Sequence, residues 1–90
     1  MNTPQNIEIL SILVEELGEA TQAAGKLLRF GINAANPYTN IPNLQSLECE
    51  IADVLVAIEL LTDTGLIDMD AIKNTYMPAK RIKLARWRLQ

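Results

Sequence analysis

The stretch EIADVLVAIELL, Glu50–Leu61, surrounds two acids three positions apart, Glu50 and Asp53, with Ile, Ala, Val and Leu. Ionised carboxylates are costly to bury unless something pairs with them. Whatever this chain folds into must therefore give an apolar helix a reason to carry both. A 90-residue chain is one domain, so residues 1–90 are read as a single unit. Such a domain buries only about 60–65% of its unfolded surface. Yet 49% of the residues are hydrophobic, nearly all of them aliphatic. The expectation is a core completed against a second copy.

The apolar spacing is helical throughout. In TPQNIEILSILVEELGEATQAAGKLLRFG, Thr3 is an N-cap, Pro4 the first helical residue and Gly31 the stop. Ile7, Leu10, Leu13, Val14, Leu17, Ala20, Ala24 and Leu28 form one apolar stripe, the expected inner face. Gly18, Ala20, Ala23, Ala24 and Gly25 are small enough to admit a neighbouring helix closely. INAANPYTNIPN, Ile32–Asn43, has no period and reads as a loop. A second helix spans about Pro42 to Thr64 and stops at Gly65. A third starts on the N-cap Asp68, is kinked or restarted at Pro78, and continues as a basic amphipathic helix. Its inner side is assigned to Ile82, Leu84, Ala85 and Leu89. The fold class is all-α, a bundle of three to four helices per chain.

On a helical wheel of the second helix, Leu47, Ile51, Val54, Leu55, Ile58 and Leu61 share one arc, and Gln45, Glu48, Glu59 and Asp63 form the solvated face. Glu50 and Asp53 fall in neither group; their neighbours are Cys49, Ala57, Leu60 and Leu61. The first helix repeats the oddity. Glu8, Glu15, Glu19, Gln22 and Lys26 make its polar face, while Glu16 lies among Ile9, Ile12, Ala23 and Phe30. Glu16 and Glu19 again stand three apart and can lean toward one point. If the helices pack antiparallel, four carboxylates converge.

Converging carboxylates need a counter-charge. With no histidine in the chain and no cysteine set, all-oxygen ligation fits a hard cation, Mg²⁺ first and Mn²⁺ second. Mg²⁺ usually brings waters and substrate phosphates with it. Lys26, two turns after Glu19, and Arg29, one turn further, are then candidates for phosphate oxygens. The competing reading makes the acids border charges that meet Lys or Arg of a partner chain. It makes Lys26 and Arg29 favourable cations at a helix C-terminus.

Several classes drop out on composition. The absence of histidine excludes His-based acid–base chemistry, Ser–His triads and His-ligated zinc or di-iron sites. One cysteine, Cys49, makes no internal disulfide. MNTPQN lacks the basic region and apolar run of a signal peptide, and no apolar stretch has the roughly 18 residues of a membrane span. The expected setting is cytoplasmic, away from membranes. Net charge is -3, split unevenly: residues 1–70 carry -9 and residues 71–90 carry +6. An acidic body meets a basic tail.

EELGEATQAAGKLLRFG followed by ECEIADVLVAIELL resembles the MazG-like, all-α nucleoside triphosphate pyrophosphohydrolases, in which Glu-x-x-Glu on one helix precedes Glu-x-x-Asp on the next. The match covers roughly residues 10–64; DMDAI and AKRIKLARW resemble the helical end of small, phage-type members less specifically. The resemblance implies Mg²⁺-dependent cleavage of a nucleoside triphosphate to monophosphate and pyrophosphate. It implies Glu16, Glu19, Glu50 and Asp53 as metal ligands, Lys26 as a phosphate-facing base, and Lys80 as a contributor from the last helix. It also implies a homodimer or homotetramer. Glu19 or Glu15 is the nominee for activating water. The loop between the motifs is long for the pattern; its Asn33, Asn36, Tyr38 and Asn40 either read a nucleobase or form turns.

Two other functions compete with hydrolysis. One is a non-catalytic helical interaction module, whose melting temperature Mg²⁺ should leave unchanged. The other is nucleic-acid binding through Lys80, Arg81, Lys83, Arg86 and Arg88, which the acidic body disfavours.

Overall fold

Capping groups set where each helix begins and ends. The computed structural model describes residues 3–88. Helix α1, Pro4–Phe30, starts on Thr3, whose Oγ1 accepts the Asn6 N–H at 3.1 Å. It stops at Gly31, which adopts a φ of 94° that side-chain-bearing residues avoid and donates its N–H to Leu27 O. Helix α2, Asn43–Asp63, ends over Thr64, whose hydroxyl donates to Leu61 O, with Gly65 at φ 77°. The loop between them is organised by Asn36. Its Oδ1 accepts the N–H groups of Tyr38 and Thr39 at 2.8 and 3.2 Å, and its backbone N–H donates to Ile41 O. Asn40 turns the chain with a φ of 62°. Helix α3, Met69–Ala71, is capped by Asp68 Oδ1 on the Ala71 N–H.

The last helix is not broken at Pro78. A π-helical turn, Ile72–Tyr76, joins α3 to α4, Met77–Arg88, without a gap. Proline lacks the N–H for an i→i−4 bond, and its ring crowds the carbonyl four residues back. Widening the preceding turn, so that the Met77 N–H reaches Ile72 O, lets the helix pass. Among the described residues there is no β-strand, and no helix is long and apolar enough to cross a membrane.

Helices α1 and α2 form an antiparallel hairpin. Thr3, Asn6 and Ile9 at the start of α1 border Leu60 and Asp63 at the end of α2. Lys26 near the end of α1 borders Asn43 at the start of α2. The face that closes this hairpin is not the expected one. The buried apolar residues are Ile9 and Ala23 on α1 and Ala57 and Leu61 on α2, the last two only 1% and 2% exposed. The stripe expected to point inward is largely on the surface: Ile7, Leu10, Leu17, Val14 (69% exposed) and Leu28 (89%). Ile51 and Leu55 on α2 are likewise exposed. Each helix has apolar residues on two sides, and the hairpin closes on the side that carries Glu16 and Glu50. Nor do the glycines admit α2: a Cβ on Gly18 or Gly25 meets nothing within 4 Å. The small residues buried in the hairpin are Ala23 and Ala57.

The basic helix α4 continues from the π turn and makes no extensive contact with α1 or α2. Ile82, Leu84 and Ala85, assigned to its inner side, are all exposed; Leu89 lies outside the described residues. The molecule is 14 Å thin and 43 by 39 Å across. Its radius of gyration is 16.3 Å, against about 12 Å for a compact chain of this length. It exposes 7263 Å², where a compact monomer of its mass exposes about 5,200 Å².

Candidate functional site

Two four-residue ladders face each other across the hairpin. On α1, Glu16, Glu19, Ala23 and Lys26 follow one another at intervals of three, four and three residues; on α2, Asn43, Ser46, Glu50 and Asp53 do the same. That spacing keeps each set on one helical face. Because the helices run in opposite directions, the acid end of one ladder meets the acid end of the other. One carboxylate oxygen from each of Glu16, Glu19, Glu50 and Asp53 lies within 4.8 Å of the other three. The four residues expected to converge do converge.

Their burial alternates. Glu16 and Glu50 are half-buried, Glu19 and Asp53 exposed. The Oε2 atoms of Glu16 and Glu50 are buried and have no hydrogen-bond partner. Both carboxyls are raised above the usual carboxylate range. For Glu16 the first cause is desolvation, followed by the negative charges of Glu19, Asp53, Glu50 and Glu15. For Glu50 it is again desolvation, then hydrogen bonding with the Glu19 carboxyl, then the charges of Glu19 and Asp53. No lysine or arginine is among the groups that shift either one. Within the chain these acids repel one another, so the site favours a proton or a cation between them. Four carboxylates with no nitrogen or sulfur donor are a set that Mg²⁺ or Mn²⁺ can use, and the two orphaned oxygens are suited to such an ion.

The remaining candidates divide. Lys26 lines a pocket of about 380 Å³ together with Glu19 and Glu50. Glu15 is exposed and stands outside the quartet, though close enough for its charge to act on Glu16. Arg29 does not line the acidic pocket; its guanidinium lies over the Phe30 ring, 5.0 Å from the centroid. Lys80 lies on α4 beside Tyr76, Ile82, Lys83 and Arg86, and is not brought to the acids of its own chain. Asn36 and Asn40 serve the loop backbone as turn formers.

Gln22, Asn43 and Ser46 also line the acidic pocket, and sequence reasoning assigned none of them to the site. The signal for Asn43 and Ser46 was available. They precede Glu50 by seven and four residues and so share its face.

Compared with known protein families, with curated proteins and with solved structures, the chain matches none.

Proposed function

We propose that this chain is a Mg²⁺-dependent nucleoside triphosphate pyrophosphohydrolase of the MazG-like kind, acting in the cytoplasm. The observation that carries the reading is the quartet Glu16, Glu19, Glu50 and Asp53, with two buried carboxylate oxygens that no described residue satisfies. A bound Mg²⁺ would supply charge neutralisation for the triphosphate and hold the reacting oxygens in place. Glu16 and Glu50, the two half-buried acids, form the floor of the site; Glu19 and Asp53 form its open side. Glu19 is better placed than Glu15 to orient and deprotonate water, since it lines the pocket and lies in the quartet. The water oxygen bonds to the α-phosphorus, the bond from that phosphorus to the α–β bridging oxygen breaks, and pyrophosphate leaves. Lys26 takes up charge on the phosphates.

The working species is a homodimer or homotetramer. The exposed stripe Ile7, Leu10, Val14 and Leu17 and the exposed Ile51 and Leu55 supply the interface, and the excess of exposed area over a compact monomer supports it. Lys80, and the basic helix that carries it, reach an acidic site only from a second copy.

The test is a panel of nucleoside and deoxynucleoside triphosphates with Mg²⁺, scored for pyrophosphate against orthophosphate. Pyrophosphate as the direct product supports the reading; orthophosphate as the direct product, or no turnover of any triphosphate, removes it.

A further inference from the structure

Beside the acidic pocket lies a second one of about 550 Å³, walled by Phe30, Ala34, Pro37 and Tyr38. The two share Lys26, Asn36 and Asn43. A molecule with phosphates at the acids and a flat apolar portion here would pass between these three side chains.

Asn43 is the unexplained member. It is only 6% exposed, the one buried polar residue among those described. Its backbone N–H donates to Ala34 O at 2.9 Å, but its side-chain amide makes no hydrogen bond to any described residue. An amide with no protein partner is free to bond whatever enters the space it faces, and this one lines both pockets. Asn36 is different: its Oδ1 is committed to the loop backbone. Asn43 thus offers an adjacent donor and acceptor, held on the first residue of α2 and aimed into space flanked by two aromatic rings.

We propose that this pocket is a nucleobase subsite and that Asn43 is its specificity-determining residue. The base lies against Tyr38 and Phe30, and the Asn43 amide pairs with an adjacent donor and acceptor on its edge. The sugar passes Lys26 toward the acids. The proposal rests on the nucleotide reading above, but its test is separable from hydrolysis.

The probes are the four deoxynucleoside monophosphates and, as a ligand without a base, inorganic tripolyphosphate, all with Mg²⁺. Binding to the wild-type chain is followed by NMR. The Asn43 side-chain NH₂ and the Tyr38 backbone signals should move with at least one monophosphate and not with tripolyphosphate. Asn43→Ala should weaken that monophosphate at least tenfold and leave tripolyphosphate within twofold. Should Asn43→Ala fail to fold, Tyr38→Ala carries the test, since Tyr38 is 94% exposed; a threefold or greater weakening is expected. Unmoved Asn43 and Tyr38 signals, or nucleotide binding unchanged in the folded variants, overturns the subsite. Monophosphate binding through Asn43 without turnover of any triphosphate upholds the subsite and removes the hydrolase reading. Turnover that is indifferent to both substitutions does the reverse.

Discussion

Glu16 on α1 and Glu50 on α2 bring carboxylate oxygens within 4.8 Å of each other across the hairpin, and each buries an Oε2 that has no hydrogen-bond partner. They do so in the interface that also holds Ile9, Ala23, Ala57 and Leu61, the buried apolar residues of the chain. Crowded carboxylates and the buried apolar residues therefore share one helix–helix contact.

This contact gives stability a definite pH dependence. Both carboxyls are raised in the fold above their ordinary value of 4.5, first by desolvation and then by neighbouring acids. An acid raised in the folded state binds its proton more tightly there than in the unfolded chain. Stability from these two groups therefore grows as pH falls through the raised value toward 4.5, and is lost again on going to neutral pH. In EDTA, the melting temperature at pH 5.5 should exceed that at pH 7.5; the opposite order refutes the crowding.

A cation should reverse that trend. Mg²⁺ bound by the quartet stabilises by mass action, about 2.7 kcal/mol at one hundred times its Kd. Protons compete for the same oxygens, so the Mg²⁺-induced rise in melting temperature should be larger at pH 7.5 than at pH 5.5. Glu50→Gln should abolish the rise while increasing the cation-free melting temperature. Equal Mg²⁺ responses in wild type and variant would place any ion elsewhere.

Asp53 is exposed, and asparagine has nearly its shape, so its replacement should leave the hairpin packing unchanged. Asp53→Asn should keep the circular-dichroism melt within a few degrees of wild type yet lower kcat/KM for triphosphate hydrolysis about 100-fold or more. Retained activity in this variant rules out the carboxylate site.

Val14 stands in the middle of the exposed α1 stripe. A charge there leaves the single-chain contacts untouched but opposes burial against a second copy. Val14→Glu should shift the mass measured by light scattering toward that of one chain, 10.0 kDa. An unshifted oligomer means that another face makes the interface.

Ala57 is 1% exposed where α2 meets α1. Ala57→Leu forces the helices apart and should cost about 1–3 kcal/mol in urea unfolding. Because the shift would also separate Glu16 from Glu50, the Mg²⁺ response should fall with it. A variant as stable as wild type means the hairpin closes elsewhere.

Local chemistry was legible in the sequence alone. Thr3, Gly31, Gly65 and Asp68 mark helix ends because capping and left-handed φ depend on a residue and its near neighbours. The pairs Glu16–Glu19 and Glu50–Asp53 were visible because three-residue spacing puts both acids on one helical side. The choice of packing face was not. Both α1 and α2 are apolar on two sides, and periodicity ranks faces by width, which favoured Ile7, Leu10, Val14 and Leu17. Tertiary contact selected the side with Ala23 and Ala57, where small side chains let the helices approach, and drew Glu16 and Glu50 into the interface. The same contact turned Asn43 inward beside them and left Lys80 on a separate surface. Those placements depend on contacts between separate helices, which no local spacing encodes.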